Sequence, residues 1–186
     1  SLTRDGFDFR FTYFVSATYF IEDAKKSTYK GPHHGPGQSD IGFGGTAKEI
    51  DERINQLQLT EKEGHEMGSH LCGHFDGSQW SAADWTQDFK SFVGFRAPYL
   101  GTSPGLFTTL KDFNFRYDTS RTSEPTYWPE KKNEVWNFPL AELTIAGTAK
   151  RTLSMDYNFF VAHSQAKEDP GNSKTYEEQT FQTYVK

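Results

Sequence analysis

The densest run of side chains able to bind a metal is residues 65–74, which read HEMGSHLCGH and hold three of the six histidines. His70 and His74 lie four positions apart, a spacing that puts both imidazoles on one side of a helical turn or tight loop. A divalent metal with nitrogen ligands at about 2.0–2.1 Å requires such a pair. The same spacing occurs by chance on solvated helices, but Gly68 and Gly73 argue against a plain helix here. The sequence therefore predicts that His70 and His74 bind one divalent metal.

A second signal is the run FRAPY at residues 95–99, which follows another predicted strand. An arginine before a proline turn, at the carboxyl end of a strand, can reach a buried carboxylate and hold it ionised by charge pairing. The alternative is that Arg96 is an ordinary surface arginine, and the residue taken alone favours that interpretation.

The elements that must position these residues begin with an aromatic and β-branched run at residues 9–16, which predicts a buried strand. Residues 30–45 are rich in Gly and Pro and predict a surface loop. Thr46 and Glu49 have the spacing of a capping box, and apolar residues at helical intervals follow them. A helix is therefore predicted from Thr46 to a stop at Gly64.

Two further strand and helix pairs are predicted after this helix. Their segments are a strand at 65–69, a helix at 81–92, a strand at 93–96, a helix opened by Ser103 and Pro104, and a strand at 115–118. A helix is also predicted from Thr175. Three βα units in series predict an α/β fold with a parallel sheet or barrel, in one domain that spans residues 1–186.

Composition excludes several classes of protein. The net charge of −5 is too small for an acidic tail or a nucleic-acid binder. No apolar run approaches the roughly 20 residues that span a bilayer, and Ser1 opens no signal-peptide pattern. The single cysteine, Cys72, excludes an internal disulfide framework. The 17 Phe, 9 Tyr and 4 Trp predict an aromatic-rich core.

Four segments together resemble the polysaccharide deacetylases of the NodB-homology type, carbohydrate esterase family four, in that family's order. They are FTYFVS at 11–16, GHEMGSHLCGH at 64–74, FRAPY at 95–99 and YDTS at 117–120. The resemblance covers most of the chain and implies a distorted (β/α) barrel. It implies a hydrolase that removes acetyl groups from N-acetylated polysaccharide, such as chitin oligomers or peptidoglycan. It also implies a secreted, periplasmic or cell-surface location.

The resemblance also assigns roles to individual residues. His70 and His74 would be ligands of one divalent metal, for which zinc is expected and cobalt or nickel would also suit. Arg96 would orient the catalytic carboxylate, and Tyr99 would donate its backbone N–H to the oxyanion. Two further residues are candidates for substrate contacts from their own local sequence and not from the resemblance. Trp128, in a Pro-rich loop, could stack on a sugar ring, and Asp156 either orients a catalytic group or ends a strand.

Two motifs of the family have no convincing match. The first is an aspartate pair that supplies the general base and the third metal ligand. Asp5 and Asp8 are rejected as this pair because no strand precedes them. The last motif supplies the general acid, and His163 is interpreted instead as an exposed loop histidine. The sequence is therefore expected to be part of a longer polypeptide, with residues also missing near Phe92.

Two other classes of function stay open at this point. One is a carbohydrate-binding pseudoenzyme that keeps the metal site without the aspartates. The other is a structural zinc site, closed by a fourth protein ligand in place of water. Cys72 could be a soft third ligand, although free cysteine is usually a small buried side chain. His33 and His34 are predicted to lie in a solvated loop or at the rim of a substrate site.

Overall fold

The structure is a computed structural model that describes residues 10–89 and 94–185. These residues form two compact units. The first contains the chain up to Ser120 together with Lys131–Asn137, and the second contains Arg121–Glu130 and the chain from Phe138 onward. The single catalytic domain stays a prediction. The interpretations of Asp5, Asp8 and the junction near Phe92 lie outside the described residues.

Nine strands and five α-helices are assigned within the described residues. The strands are β1 (Thr12–Val15), β2 (Glu66–Ser69), β3 (Gly94–Phe95), β4 (Tyr117–Asp118), β5 (Thr122–Ser123), β6 (Glu130–Lys132), β7 (Val135–Asn137), β8 (Leu140–Thr144) and β9 (Arg151–Leu153). The helices are α1 (Ala47–Lys62), α2 (Ala82–Asp88), α3 (Pro104–Asp112), α4 (Asp156–Ser164) and α5 (Ser173–Tyr184). Short 3-10 helices cover Ala17–Phe20, Asp23–Thr28 and Pro98–Leu100.

The larger sheet has six strands in the order β1-β2-β3-β4-β7-β6. Strands β1 to β4 pair in parallel with their sequence neighbours, and β4 also pairs in parallel with β7. In this register Val15 lies opposite Ser69, and Phe95 lies opposite Asp118. The carboxyl ends of these strands therefore meet at one edge of the sheet. The smaller sheet has the order β5-β8-β9 and belongs to the second unit. The fold is α/β with a sheet rich in parallel pairs, as the sequence predicts.

Helix α1 begins where its capping box predicts. Thr46 Oγ1 accepts a hydrogen bond from the backbone N–H of Glu49, and the Glu49 carboxylate accepts from the backbone N–H of Thr46 at 2.8 Å. Gly64 follows the helix with a φ of 87°, a left-handed conformation that glycine adopts without a Cβ clash. Helix α2 begins in the same way, with a capping box formed by Ser81 and Asp84. The first residues of α1 and α2 are therefore determined by local sequence.

We expect the substitution Thr46→Ala to lower the free energy of unfolding by about 1 kcal/mol, because it removes one half of the capping box. Gln58→Ala, at an exposed position of the same helix, is the control and should change the stability by only a few tenths of a kcal/mol. Denaturant titration of both variants checks this expectation. Equal losses in the two variants would contradict the role of the cap.

The core of the first unit is aromatic, as composition predicts. Trp85, on α2, is fully buried, and its indole N–H donates to Ser103 Oγ at 2.9 Å. Its ring packs against Phe89 and Phe95. The rest of the buried cluster comes from the turn after β2 and from the segments that follow: Leu71, Phe75, Trp80, Ala97, Leu106, Leu110, Phe115 and Val135.

Two predictions about local structure are wrong. The strand at residues 9–16 is not buried throughout, because Tyr13 on β1 is 45% exposed and β1 lies at the edge of the described sheet. Asp156 does not lie in a strand but begins helix α4. The Asp156 carboxylate, in the first turn of α4, is stabilised by the positive end of the helix dipole. The apolar residues around Asp156 are compatible with a strand as well as with a helix.

No helix in the described part of the chain is both long and apolar enough to cross a bilayer.

Candidate metal centre

Three of the residues around the predicted site follow the carboxyl ends of neighbouring parallel strands. The backbone N–H of His70, after β2, donates to Val15 O, and that of Arg96, after β3, donates to Ser69 O, both at 3.0 Å. The N–H of Thr119, after β4, donates to Phe95 O at 2.9 Å. The sheet ladder therefore extends one residue beyond each strand and fixes where these side chains leave the sheet.

The His70 and His74 rings are neighbours, with centroids 4.8 Å apart at an angle of 73°. The residues between them form a tight turn, with left-handed φ values at Leu71 (61°) and at His74 itself (62°). Such values cost energy for residues other than glycine and recur where function demands a fixed geometry. The pair therefore lies in a loop, as Gly68 before His70 and Gly73 between the two histidines indicate.

A buried carboxylate holds this turn in place. Asp88, at the end of α2, accepts a hydrogen bond from the backbone N–H of Cys72 at 3.1 Å and another from the Tyr29 hydroxyl at 2.6 Å. Burial and the Asp88 charge raise the pKa of Tyr29, so the hydroxyl keeps its proton. Sequence reasoning missed Asp88. Its position three residues after the buried Trp85 was the available signal, because a carboxylate on an apolar helix face needs buried partners.

The protonation of His70 follows from its neighbours. Its Nδ1 lies 2.7 Å from the backbone oxygen of Arg96. A carbonyl oxygen can only accept, so Nδ1 carries the proton and Nε2 keeps its lone pair. Burial lowers the pKa of His70 to about 4, and the positive charges that His74 and Arg96 can carry act in the same direction. At neutral pH the ring is uncharged, which is the form that binds a metal.

His74 offers a second nitrogen. Its Nδ1 is buried and has no hydrogen-bond partner among the residues that the structure describes. Burial lowers the pKa of His74, although the Asp40 carboxylate acts in the opposite direction. A buried ring nitrogen without a partner is costly, and a metal ion would satisfy it. The two histidines therefore fit the chemistry of nitrogen ligands.

The described residues offer two candidate metal ligands, His70 and His74. Within residues 10–89 and 94–185, no group of three or more His, Cys, Asp or Glu side chains is placed to hold a metal. Cys72 is buried between the histidines, and its Sγ donates to the backbone oxygen of Asp88 at 3.1 Å. This matches the interpretation of Cys72 as a small buried side chain.

Arg96 and Tyr99 lie close to the histidine pair. Arg96 Nε donates to Thr119 Oγ1 at 2.7 Å, and its guanidinium carbon lies 4.6 Å from the centre of the Phe14 ring. The Tyr99 ring is 5.0 Å from that of His74 and 64% exposed, with its backbone in the left-handed region at a φ of 53°. The structure thus brings together the four residues to which the sequence assigns metal binding and catalysis. Their roles stay predictions.

A cavity of about 510 Å³ opens beside Asp40, whose carboxylate accepts a 3.5 Å hydrogen bond from the Tyr99 hydroxyl. His34 lines this cavity, and its ring stacks on that of Phe75 with the ring centroids 3.7 Å apart. The ring is therefore packed against the protein, in contrast to the prediction of a solvated residue. His33 is more exposed, and its Nε2 lies 3.2 Å from an oxygen of Asp84. A role for this loop at the rim of a substrate site stays a prediction.

The remaining predicted residues belong to the second unit. Trp128 is 85% exposed, and Asp156 is exposed at the start of α4. The interpretation of His163 as an exposed loop histidine is wrong. It lies in α4, stacks on Tyr176 with ring centroids 4.8 Å apart, and has a buried Nε2. The aromatic residues of α4 and α5 create this packing, which no local sequence pattern shows.

The low pKa of His70 predicts how the stability of the metal-free protein depends on pH. The pKa is about 4 in the folded protein and about 6.5 in an unfolded chain. The contribution of the neutral His70 ring to the free energy of unfolding is therefore fully present above pH 6.5. It is lost as the pH falls towards 4, and the free energy of unfolding decreases by at most about 3 kcal/mol. Denaturant titrations at several pH values between 4 and 6.5 give the free energy of unfolding as a function of pH. Its slope against pH should be smaller for His70→Gln than for the parent protein. Equal slopes would contradict the burial of a neutral His70.

No protein-family model matches the chain, and no curated protein matches it. The function is therefore inferred from His70, His74, Arg96 and Tyr99 and from the segments after β2 and β3 that contain them.

Proposed function

We propose that the protein is a metal-dependent deacetylase of N-acetylated polysaccharides, with its parallel strands forming part of a distorted (β/α) barrel of the NodB type. The observation that carries this proposal is the histidine pair. Two adjacent imidazoles stand at the carboxyl edge of a parallel sheet, and a backbone carbonyl sets the tautomer of one of them. Metal-binding histidines are usually oriented by such a second hydrogen bond.

The arrangement of the four NodB-like segments also supports the proposal. They are distant in sequence, yet they contain β1, β2, β3 and β4, which are consecutive neighbours in the sheet. The segment after each of these strands holds a residue at the site or in contact with it: Ser16, His70, Arg96 and Thr119. A chance resemblance of separate short segments would not require their ends to meet at one edge.

The proposed reaction divides the work among these residues. A divalent metal would supply Lewis acidity, which polarises an acetamide carbonyl and eases the deprotonation of water. His70, through Nε2, and His74 would hold it. Arg96 orients the carboxylate that removes the proton from water, and the backbone N–H of Tyr99 donates to the developing oxyanion. Both roles follow from the resemblance to the family.

The choice of a polysaccharide substrate also comes from the resemblance, and two residues of the second unit are proposed to contact it. Trp128 is an indole with 85% of its surface exposed, which is available to stack on the apolar face of a sugar ring. Asp156 presents an exposed carboxylate at the start of α4, which can accept hydrogen bonds from sugar hydroxyls.

The experiment that tests the proposal measures acetate released from N-acetylglucosamine oligomers and from peptidoglycan. The full-length polypeptide that contains this sequence is assayed after loading with zinc, after treatment with a chelator, and after zinc is restored. Residues 1–186 alone are expected to release no acetate, because the general base and the general acid have no convincing match among them. We expect acetate release only in the two zinc-loaded samples. Binding of the oligomers and of zinc without acetate release would contradict the enzyme proposal and favour a carbohydrate-binding pseudoenzyme.

A further inference from the structure

The peptide group between Arg96 and Ala97 is hydrogen-bonded at both of its polar atoms. Its carbonyl oxygen accepts from His70 Nδ1 at 2.7 Å. Its N–H, on Ala97, donates to Ser120 Oγ at 2.8 Å. One rigid planar group therefore connects the imidazole of a proposed metal ligand to a serine that follows β4.

The connection continues from Ser120 to a buried carboxylate. Ser120 Oγ donates to Asp118 Oδ1 at 2.5 Å, and the backbone N–H of Ser120 donates to the same oxygen at 3.2 Å. Asn137 Nδ2 donates to the other carboxylate oxygen at 3.2 Å. Asp118 is 1% exposed and Ser120 2% exposed. Three donors thus converge on a carboxylate that is shielded from water, which is the pattern that a charged carboxylate accepts.

The direction of each hydrogen bond in this chain is determined. The Ala97 N–H can only donate, so Ser120 Oγ accepts it and the serine proton is free to point at Asp118. His70 likewise donates to the peptide oxygen. All the donors therefore point the same way, from the imidazole to the carboxylate, and bonds aligned in this manner polarise one another.

We propose that Asp118 and Ser120 are positioning residues for His70, acting through the Arg96–Ala97 peptide group. This inference rests on the proposed metal site. A carboxylate that accepts from a metal-binding histidine fixes the ring and makes its other nitrogen a better donor. Here the carboxylate acts at a distance, through a hydroxyl and a peptide, so that Nε2 of His70 is held ready for a metal.

Thr119 provides a matched control because it lies between the two positioning residues and has a different partner. It is buried, and its Oγ1 accepts from the Arg96 side chain, not from the Arg96–Ala97 peptide. Thr119→Val preserves its shape and leaves the chain from His70 to Asp118 intact. Thr119→Val therefore reports on the loss of a hydrogen bond to the Arg96 side chain, and the Ser120 and Asp118 variants report on the hydrogen bonds that lead to His70.

The test has two readouts: the NMR signal of the His70 Nδ1 proton in the metal-free protein, and zinc affinity by competition with a chelator. Ser120→Ala should shift or broaden that proton signal and lower zinc affinity by about 10–100-fold. Ser120→Thr, which retains the hydroxyl, should restore both, and Asp118→Asn should shift the signal in the same direction as Ser120→Ala. Thr119→Val should leave both readouts unchanged.

An unchanged His70 proton signal in folded Ser120→Ala and Asp118→Asn would overturn the inference, as would an equal shift in Thr119→Val. If Ser120→Ala does not fold, the comparison of Asp118→Asn with Thr119→Val decides the outcome. Absence of zinc binding by the parent protein would contradict the proposed metal site. The proton signal of the metal-free protein still reports on the hydrogen-bond chain in that case, so the two failures are distinguishable.

Discussion

Replacing either His70 or His74 by alanine is expected to lower the rate of acetate release by on the order of 10³-fold, because Lewis-acid stabilisation of the transition state is worth several kcal/mol. The two rings are adjacent, and each offers one nitrogen that the described hydrogen bonds do not use. Loss of one ring would remove one of the two ligands that we propose for the metal. The measurement is acetate release from N-acetylglucosamine oligomers at saturating zinc, with each substitution made in the full-length polypeptide that contains this sequence.

His33→Ala is the control for this prediction. His33 is an exposed histidine of the same unit, paired with Asp84. Its replacement should leave acetate release within a few-fold of the parent rate, which shows that removing a histidine is not harmful in itself. Parent-like activity in both His70→Ala and His74→Ala would show that the reaction does not need this pair.

Arg96→Gln is expected to lower kcat by about 10²–10⁴-fold, the range of a general base that has lost its orientation. The same variant should change zinc affinity by only a few-fold. His70 is held by the backbone oxygen of Arg96, whereas the guanidinium lies over Phe14 and donates to Thr119. The side chain and the backbone of this residue therefore have separate tasks, which the two measurements distinguish.

Arg96→Lys is the conservative partner of this variant. Lysine retains the charge but not the planar fork of donors, so we expect activity between that of Arg96→Gln and the parent. The pH profile of kcat should move in both variants, because the guanidinium is expected to stabilise the charged form of the catalytic carboxylate. Parent-like activity in Arg96→Gln would contradict an orienting role.

The sequence predicts the elements whose signals are local. The capping box at Thr46 and Glu49 defines the start of α1 because both partners lie within one turn. The loop that holds His70 and His74 is indicated by Gly68 before the pair and Gly73 within it. Asp156 shows the limit of such reasoning, because apolar residues on either side of it suit a strand or a helix, and only packing in the folded chain decides between them.

The hydrogen bonds that complete the site could not be predicted from the sequence. His70 reaches the Arg96 carbonyl across 26 positions, and Ala97 reaches Ser120 across 23. These contacts depend on which strands are neighbours and on their register, which a single sequence does not encode locally. The sequence predicts Asp118 only as the end of a strand. The contacts that make it a candidate positioning residue come from Asn137 on β7 and from Ser120, which in turn bonds to Ala97 in the segment after β3.

The most direct test of the account is a zinc titration of the metal-free protein against a chelator of known affinity. We expect one equivalent of zinc to bind, with affinity lower by more than about 100-fold in His70→Ala and in His74→Ala than in the parent. His33→Ala should bind as the parent does. Absence of binding by the parent protein, or unchanged affinity in both histidine variants, would contradict the account.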